Sequence, residues 1–536
     1  MDRPSTGQAS RRGLAHKRLP HKRLLHKRLP NRRLLRRVSL LAATTLAGVL
    51  TLTVPAANGA PEKRPTPVDE PGVTANLWEW NWKSVGKECA GLARDGYTGV
   101  QVAPPQNSLK RTELGSGSDT ILHPWWEVYQ PVTYNLTSRM GNADQFKVMV
   151  SKCRAAGVKV YVDAVINHMT GQGHTSYGGV DYKPYDYPDY DANDFHFKVG
   201  ECPSSDGGIQ DFNNKLQVFT CNLVGLEDLR TETDKVQEQL AAYLNKLIGY
   251  GVSGFRVDAA KHIGQDDLDA IYARLNKTKD GVKPYWALEA FGGGPGILSP
   301  EAFTRSGDVL GLDAAKQIQA AFKSYQASGN TGSMATLEVF GEGSGLTSSE
   351  KTMSFVTNHD TDRNAGEYLG HKDGATFILA NEWLLASGYG SPQVFSSFDW
   401  MSRDDSPPAN DQGIISNAEC TTGAWTCDHR NRGIVAMVKW HNYVGEAKRT
   451  NWYTDDGNVI AFSKDSKGWA AFNNGTAAKQ IHVQTGLPRG TYCDTIHDTN
   501  AGNGCAESSV VVDSAGFATV TIGSKDAVAF TRADRI

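Results

Sequence analysis

Gly254-Phe255-Arg256-Val257-Asp258-Ala259-Ala260-Lys261-His262 reads as a short buried strand that runs into polar and ionisable residues. Side chains alternate in direction along a strand, so Arg256 and Asp258 point one way while Phe255 and Val257 point the other. A guanidinium is thereby set beside a carboxylate. Such a neighbour favours the ionised form, which suits a carboxylate that must attack an electrophilic carbon. Read alone, the pair fits a strand-end ion pair equally well. Two further acids share the context: Glu289 ends the apolar run Tyr285-Trp286-Ala287-Leu288, and Asp360 ends Met353-Ser354-Phe355-Val356-Thr357-Asn358-His359. Three strands in succession are thus expected to finish on a carboxylate.

Outward from that stretch, strand-like and helix-like runs alternate. Val73 to Trp78 precedes a helical stretch reaching Arg94, and Tyr97 to Ala103 is the next strand. Phe146 to Ala156 reads as a helix before a strand from Gly157 to Ile166. Val236, Leu240, Tyr243, Leu244, Leu247 and Ile248 then recur at helical spacing ahead of Gly254. Near-continuous apolar strands in β-α units imply a parallel sheet, and their number favours a closed (β/α)8 TIM barrel over an open sheet. Function in such a barrel gathers at the C-terminal ends of the strands, where the three carboxylates fall.

Two segments break the rhythm. Between His168 and Leu226 lie about sixty residues rich in Gly, Tyr, Asp and Asn, too many for a plain loop, so a small irregular domain is expected after the third strand. After about residue 431 the pattern turns to short runs such as Val459-Ile460-Ala461-Phe462, Trp469-Ala470-Ala471-Phe472, Ser509 to Asp513 and Phe517 to Ile522. These predict a C-terminal antiparallel β-sandwich. The expected division is an N-terminal extension at 1–60, a barrel at 61–431 interrupted by the insertion at 168–225, and a β-sandwich at 432–536.

The N-terminus reads as an export signal: basic residues through Arg36-Arg37, an apolar run from Val38 to Val54, then Ala56, Ala57, Gly59 and Ala60. The five-residue basic repeat ahead of it, beginning at His16, reads as a stretched leader or an early start site and is given no mature role. Residues 1–60 hold 13 of the 56 Lys and Arg and one of the 58 Asp and Glu, which leaves the remainder at a formal net charge of −14. A chain that acidic is repelled by phosphate backbones and anionic membranes, which argues against nucleic-acid and membrane partners. No other stretch approaches the roughly 20 apolar residues of a membrane span. Eight cysteines, all beyond the signal, fit an oxidising compartment, and none has zinc-site spacing. Cys420 and Cys427 lie close enough to close a small loop, and Cys493 and Cys505 flank a Gly/Asn-rich turn. A secreted, extracellular monomer is expected.

An ionised aspartate and a glutamic acid on neighbouring strand ends are what retaining glycoside hydrolysis requires. Trp125-Trp126 with Tyr129-Gln130 is a candidate platform for stacking and hydrogen-bonding pyranose rings, although adjacent tryptophans also occur in cores. His168 and His359 are candidate donors to sugar hydroxyls. Asn167 and Asp228 offer hard oxygen ligands, suited to calcium rather than zinc.

Taken together, Asp163-Ala-Val-Ile-Asn167-His168, the Gly254–His262 stretch, the Glu289 strand and Phe355-Val-Thr-Asn-His359-Asp360 resemble, in order, four signature segments of the α-amylase family of glycoside hydrolases. Gly225-Leu-Glu-Asp228-Leu resembles a fifth. The likeness runs from about Val73 to Ile536 and is greatest to secreted actinobacterial and animal-type members. The resemblance implies endo-hydrolysis of α-1,4-glucosidic bonds in starch and glycogen. It implies Asp258 as nucleophile, Glu289 as general acid/base and Asp360 as the acid that fixes sugar hydroxyls. Trp125, Trp126, Tyr129, Gln130, His168, Arg256, Lys261, His262 and His359 become the expected substrate contacts. Calcium is implied at the side chains of Asn167 and Asp228 and the main-chain oxygens of Phe219 and His262. The family pairing implies Cys89–Cys153, Cys202–Cys221, Cys420–Cys427 and Cys493–Cys505. One departure stands out: chloride-activated members use two arginines and an asparagine, and although Arg256 and Asn358 match, Gln393 stands in place of the second arginine. A chloride cofactor is therefore not expected.

Overall fold

The reason Gly254 opens the central strand is visible in the register of the sheet. In the computed structural model, Gly254 lies between Tyr161 and Tyr285 on the flanking strands, whose rings meet edge to face at 5.7 Å. A Cβ at Gly254 would sit 2.5 Å from the Tyr285 carbonyl oxygen, so only glycine lets the strands close here. The structure describes residues 68–114, 121–323, 332–364, 366–455, 457–498 and 504–536. The expected export signal and basic repeat lie outside them.

Eight parallel strands close into a barrel in chain order: β1 Thr74–Leu77, β2 Gly99–Val102, β3 Lys159–Ala164, β4 Gly254–Val257, β5 Tyr285–Leu288, β6 Asp308–Leu310, β7 Thr352–Phe355 and β8 Ser391–Ser396, which pairs back onto β1. Among the described residues, the helices of eight or more residues are α1 Trp82–Asp95, α2 Ala143–Ala155, α3 Asp234–Tyr250, α4 Gln265–Ala273, α5 Leu312–Phe322, α6 Ala375–Ser387 and α7 Arg432–Val444. After β5 a 3-10 turn at Gly296–Leu298 and the four-residue helix Pro300–Phe303 intervene before β6. None of the described helices is long and apolar enough to cross a membrane.

Helix boundaries follow local chemistry. The Asn81 side chain accepts from Ser84 N at the start of α1, and Asn142 and Gln145 form a reciprocal capping box on α2. On α3 the six residues spaced at helical period are buried, and the chain leaves through Gly251 at φ 112°. Along β4, Phe255 and Val257 join the core beneath the helices, whereas Arg256 points into the barrel, in register with Asp163 on β3 and Ala287 on β5.

The expectation that three successive strands end on an acid needs correction. Asp258 and Glu289 do follow β4 and β5 directly, but β6 stands between β5 and β7, and its three residues, Asp308-Val309-Leu310, are too few to show a pattern. Asp360 lies five residues beyond the end of β7, on a turn rather than on the strand.

Beyond α7 come two four-stranded antiparallel sheets. The first comprises β9 Arg449–Thr454, β10 Val459–Lys464, β11 Gly468–Asn473 and β16 Asp526–Thr531. The second comprises β12 Lys479–Gln484, β13 Gly490–Cys493, β14 Ser509–Val512 and β15 Phe517–Ile522. Val459, Ala461, Trp469 and Ala471 pack against the second sheet, while Ile460, Phe462, Ala470 and Phe472 join the main core with the barrel helices. The first sheet is therefore covered on both faces, which explains why β10 and β11 read as unbroken apolar runs. All four expected disulfides are present: Cys89–Cys153 between α1 and α2, Cys202–Cys221 within the insertion, Cys420–Cys427 and Cys493–Cys505.

Candidate active site

Arg256 is the hub at the C-terminal mouth of the barrel. Its Nη1 donates to Asp163 Oδ1 at 2.7 Å and to Asp258 Oδ1 at 2.6 Å, and its Nη2 donates to Glu289 Oε1. The two carboxylates singled out by sequence are thus held by the two ends of one buried guanidinium, whose planar fork sets their relative placement. The turn that follows completes the grip. Ala259 takes φ 48°, an uncommon left-handed conformation for a residue with a Cβ, and its N–H donates to Glu289 Oε2 at 2.8 Å. Asp258 N donates to Ala164 O and Glu289 N to Val257 O, each at 3.0 Å, so both acids are fixed by the ladder that aligns β3, β4 and β5.

Electrostatics separate the roles. Burial pushes Glu289 from 4.5 up to about 8, against the opposing pull of Arg256 and with repulsion from Asp258 and Asp360 added. Glu289 therefore carries a proton at neutral pH. Burial likewise pushes Asp163 up to about 7, Arg256 again opposing. Asp360 reaches the site through its turn: Asn358 Oδ1 accepts from the N–H groups of Asp360 and Thr361 at 3.0 Å.

An aromatic wall adjoins the acids. His359 lies between Trp78 and Tyr129, stacked at 5.1 and 4.9 Å, and its Nε2 is 3.3 Å from Asp360 Oδ2. Burial, with Arg256 nearby, holds its imidazole well below the usual histidine range, so the ring is neutral. Trp125 packs edge-on against His359, and Trp126 is half-buried beneath the Arg111 guanidinium at 5.3 Å.

Several expected sugar contacts turn out to be engaged with the protein itself. The Arg256 guanidinium contacts three carboxylates and so organises the acids. Tyr129 Oη donates to Asp163 Oδ2 at 2.9 Å. Gln130 Oε1 accepts from Gly171 N, and His168 Nε2 lies 3.0 Å from Tyr129 O, so both brace loops behind the wall. Lys261 and His262 line a cavity together with Glu289. Three neighbours were not singled out from sequence. Asp163 could have been found by placing it opposite Arg256 in register; Trp78 and Arg363 carry no such signal, yet Arg363 lies over Trp78 at 4.8 Å and donates to His359 O.

Of the four residues expected to hold calcium, Asn167 Nδ2 lies 3.1 Å from Asp228 Oδ1, both side chains buried. His262 Nδ1 lies 3.0 Å from the carbonyl of Val218, next to Phe219, whose ring approaches Gly264. Asp228 also faces His196 Nδ1 at 2.7 Å.

A parallel barrel that presents an arginine-clamped pair of acids, one of them protonated, beside stacked aromatic rings defines a glycoside hydrolase. Comparison with known proteins narrows the class. Residues 129–282 match the α-amylase catalytic domain and residues 451–533 the α-amylase C-terminal all-beta domain. An α-amylase of Streptomyces violaceus is 38% identical over 493 residues, covering 91% of this chain and 79% of that one. The pancreatic α-amylase of Sus scrofa is 35% identical over 479 residues, covering 84% and 91%. Among solved structures, α-amylase I of Eisenia fetida superposes with a TM-score of 0.80 at 33% identity, covering 87% of this chain and 98% of that one. This chain belongs to the α-amylase family, whose reaction is endo-hydrolysis of α-1,4-glucan linkages with retention of configuration.

Proposed function

We propose that Asp258 is the nucleophile, Glu289 the general acid/base and Asp360 the acid that binds sugar hydroxyls in the cleavage of starch, glycogen and related maltooligosaccharides. Glu289 gives its proton to the glycosidic oxygen as Asp258 attacks the anomeric carbon; the bond to the leaving sugar breaks and an ester to Asp258 forms. Ionised Glu289 then takes a proton from water, whose oxygen attacks the same carbon and releases Asp258. Two inversions restore the starting configuration. The observation that carries this reading is the shared guanidinium of Arg256, which holds both acids while burial keeps one of them protonated. Retention needs the carboxyls ~5–5.5 Å apart, and a single fork gripping both supports that separation. Soluble starch followed by NMR tests it: the first product should be the α-anomer, and a β-anomer would overturn the assignment.

Asn167 and Asp228, with the main-chain oxygens of Phe219 and His262, would hold a calcium ion. The donors fit a hard cation, since the amide abuts a buried carboxylate and His262 contacts the segment carrying Phe219. A bound ion would supply cross-linking between the insertion and the barrel rather than chemistry. Chloride has no such place. The Gln393 amide is neutral and already bonded, Nε2 to Gln101 Oε1 at 2.9 Å and Oε1 to Asn76 Nδ2 at 3.2 Å. We read the protein as a secreted monomer divided into a leader at 1–60, a catalytic barrel at 61–431 with its insertion at 168–225, and a β-sandwich at 432–536. The four disulfides support the extracellular setting.

A further inference from the structure

Asp258 and Glu289 are fixed by the barrel ladder, but Asp360 lies on a turn beyond β7, outside the strand pairing. Its backbone needs another brace, and the peptide unit that joins His359 to Asp360 is held on both sides. Asn358 Oδ1 accepts from the Asp360 N–H at 3.0 Å, and Arg363 Nη1 donates to the His359 carbonyl at 3.3 Å. With its N–H and its C=O both engaged, that peptide plane is fixed, and the direction of the Asp360 side chain with it.

Arg363 is tied to the barrel through aromatic rings. Its guanidinium carbon lies 4.8 Å from the centre of the Trp78 ring, 5.0 Å from Phe398, 5.4 Å from Trp400 and 5.8 Å from Trp125. Trp78 directly follows β1, and its ring stacks on His359, so the cage carries the position of the barrel wall to the turn. The cation is otherwise poorly served. Arg363 is 7% exposed, yet its Nε and Nη2 meet no hydrogen-bond acceptor among the described residues. Asp362 stays 4.0 Å from Nη1 while its own oxygens bond to His371 and Trp400. A buried guanidinium with idle donors costs stability, and an apolar side chain of similar volume is commonly neutral or stabilising in such a place. Packing alone would be better served by methionine.

We propose that Arg363 is a positioning residue for Asp360: gripping the His359 carbonyl from within the aromatic cage, it sets the angle at which the acid meets the sugar hydroxyls. This role rests on the one proposed above for Asp360.

The test compares Arg363→Met, which fills the cage without a charge or a donor, with Arg363→Lys, which restores both, each also combined with Asp360→Asn. Turnover of α-maltosyl fluoride is followed by fluoride release, because a reactive leaving group keeps slow variants measurable. Arg363→Met should lower kcat by about 30- to 100-fold, the cost of a misplacement of about 1 Å, while melting no lower than the wild type. Only one donor is used, so Arg363→Lys should recover about a third or more of the native kcat. On the Asp360→Asn background Arg363→Met should cost less than about threefold, since the acid it positions is gone. Equal losses on both backgrounds, full turnover by Arg363→Met, a lysine variant no better than the methionine one, or a methionine variant that melts well below the wild type would overturn the role of Arg363 alone. An Asp360→Asn enzyme as fast as the wild type would overturn it together with the role of Asp360.

Discussion

Replacing Glu289 by Gln separates catalysis from electrostatics. In the native protein both Glu289 oxygens accept, Oε1 from Arg256 Nη2 and Oε2 from Ala259 N. A protonated carboxyl keeps that capacity, because its hydroxyl oxygen still accepts while it donates outward. An amide does not: whichever way it turns, its NH2 group faces one of the two N–H donors, at a cost of about 1–3 kcal/mol. Glu289 titrates at about 8 when folded and at 4.5 when unfolded, so between those values the native state holds a proton that the unfolded chain has released. Its contribution to stability therefore falls as pH rises through that window, and at ~1.36 kcal/mol per tenfold change in proton affinity the whole span is on the order of a few kcal/mol. Glu289→Gln removes this dependence. The variant should melt below the wild type at about pH 6, and the gap should close or reverse by about pH 9. Its kcat on a maltooligosaccharide should fall by roughly 10²–10⁴, the usual contribution of a general acid. In the wild type, kcat/KM should drop as pH rises past about 8, where the donor proton is lost. A melting gap that is the same at both pH values would refute the raised affinity of Glu289, and a variant retaining a tenth of the rate would refute its role.

Asp258→Asn should abolish turnover by several orders of magnitude while leaving near-UV circular dichroism unchanged; residual activity near the native rate would remove Asp258 from the chemistry. EDTA should lower the melting temperature of the wild type, and calcium should restore it, because a ligand bound only by the native state stabilises by mass action; identical melts with and without chelator would contradict the calcium assignment. Turnover should not need added chloride, and a strong requirement for it would show that Gln393 does not prevent anion binding. Gly433→Ala should destabilise by about 1–3 kcal/mol through overpacking, because its Cβ would fall within 1.8 Å of Glu382 Oε1 on the neighbouring α6; an unchanged melting temperature would mean that Glu382 swings clear.

What the sequence disclosed was what repeats locally. Alternation along β4 aimed Arg256 and Asp258 into the barrel, and the helical spacing of Val236 to Ile248 marked the face of α3 that is buried. The acids at Asp258 and Glu289 were legible because each follows its strand by a single residue. Asp360 was legible as an acid after an apolar run but not as a turn residue, since its place depends on the Asn358 turn, and no periodicity announces a turn built by side-chain capping. Arg363 and Trp78 were hidden for a different reason. Their stacking joins residues nearly three hundred positions apart, and contact at that range exists only once the barrel has closed. The contacts of Gln130 Oε1 with Gly171 N–H and of His168 Nε2 with Tyr129 O likewise depend on loop packing that residue type alone does not disclose.

The charge count at the mouth of the barrel explains why one guanidinium suffices. Asp163, Asp258 and Glu289 face a single buried cation, so full ionisation would leave two uncompensated negative charges in a buried site. Burial makes that state costly, and protons go first to the carboxyls with the highest affinity: Glu289 near 8, then Asp163 near 7. Interacting acids titrate as a set, so the protons belong to the cluster and not to independent groups. The first chemical step spends a proton from Glu289 and neutralises Asp258 as an ester. Net charge around Arg256 is the same before and after, one acid losing its charge as the other gains it. A second arginine would draw that proton off Glu289, and a missing one would raise the proton affinity of Glu289 and Asp163 further. The single clamp holds the site between those failures.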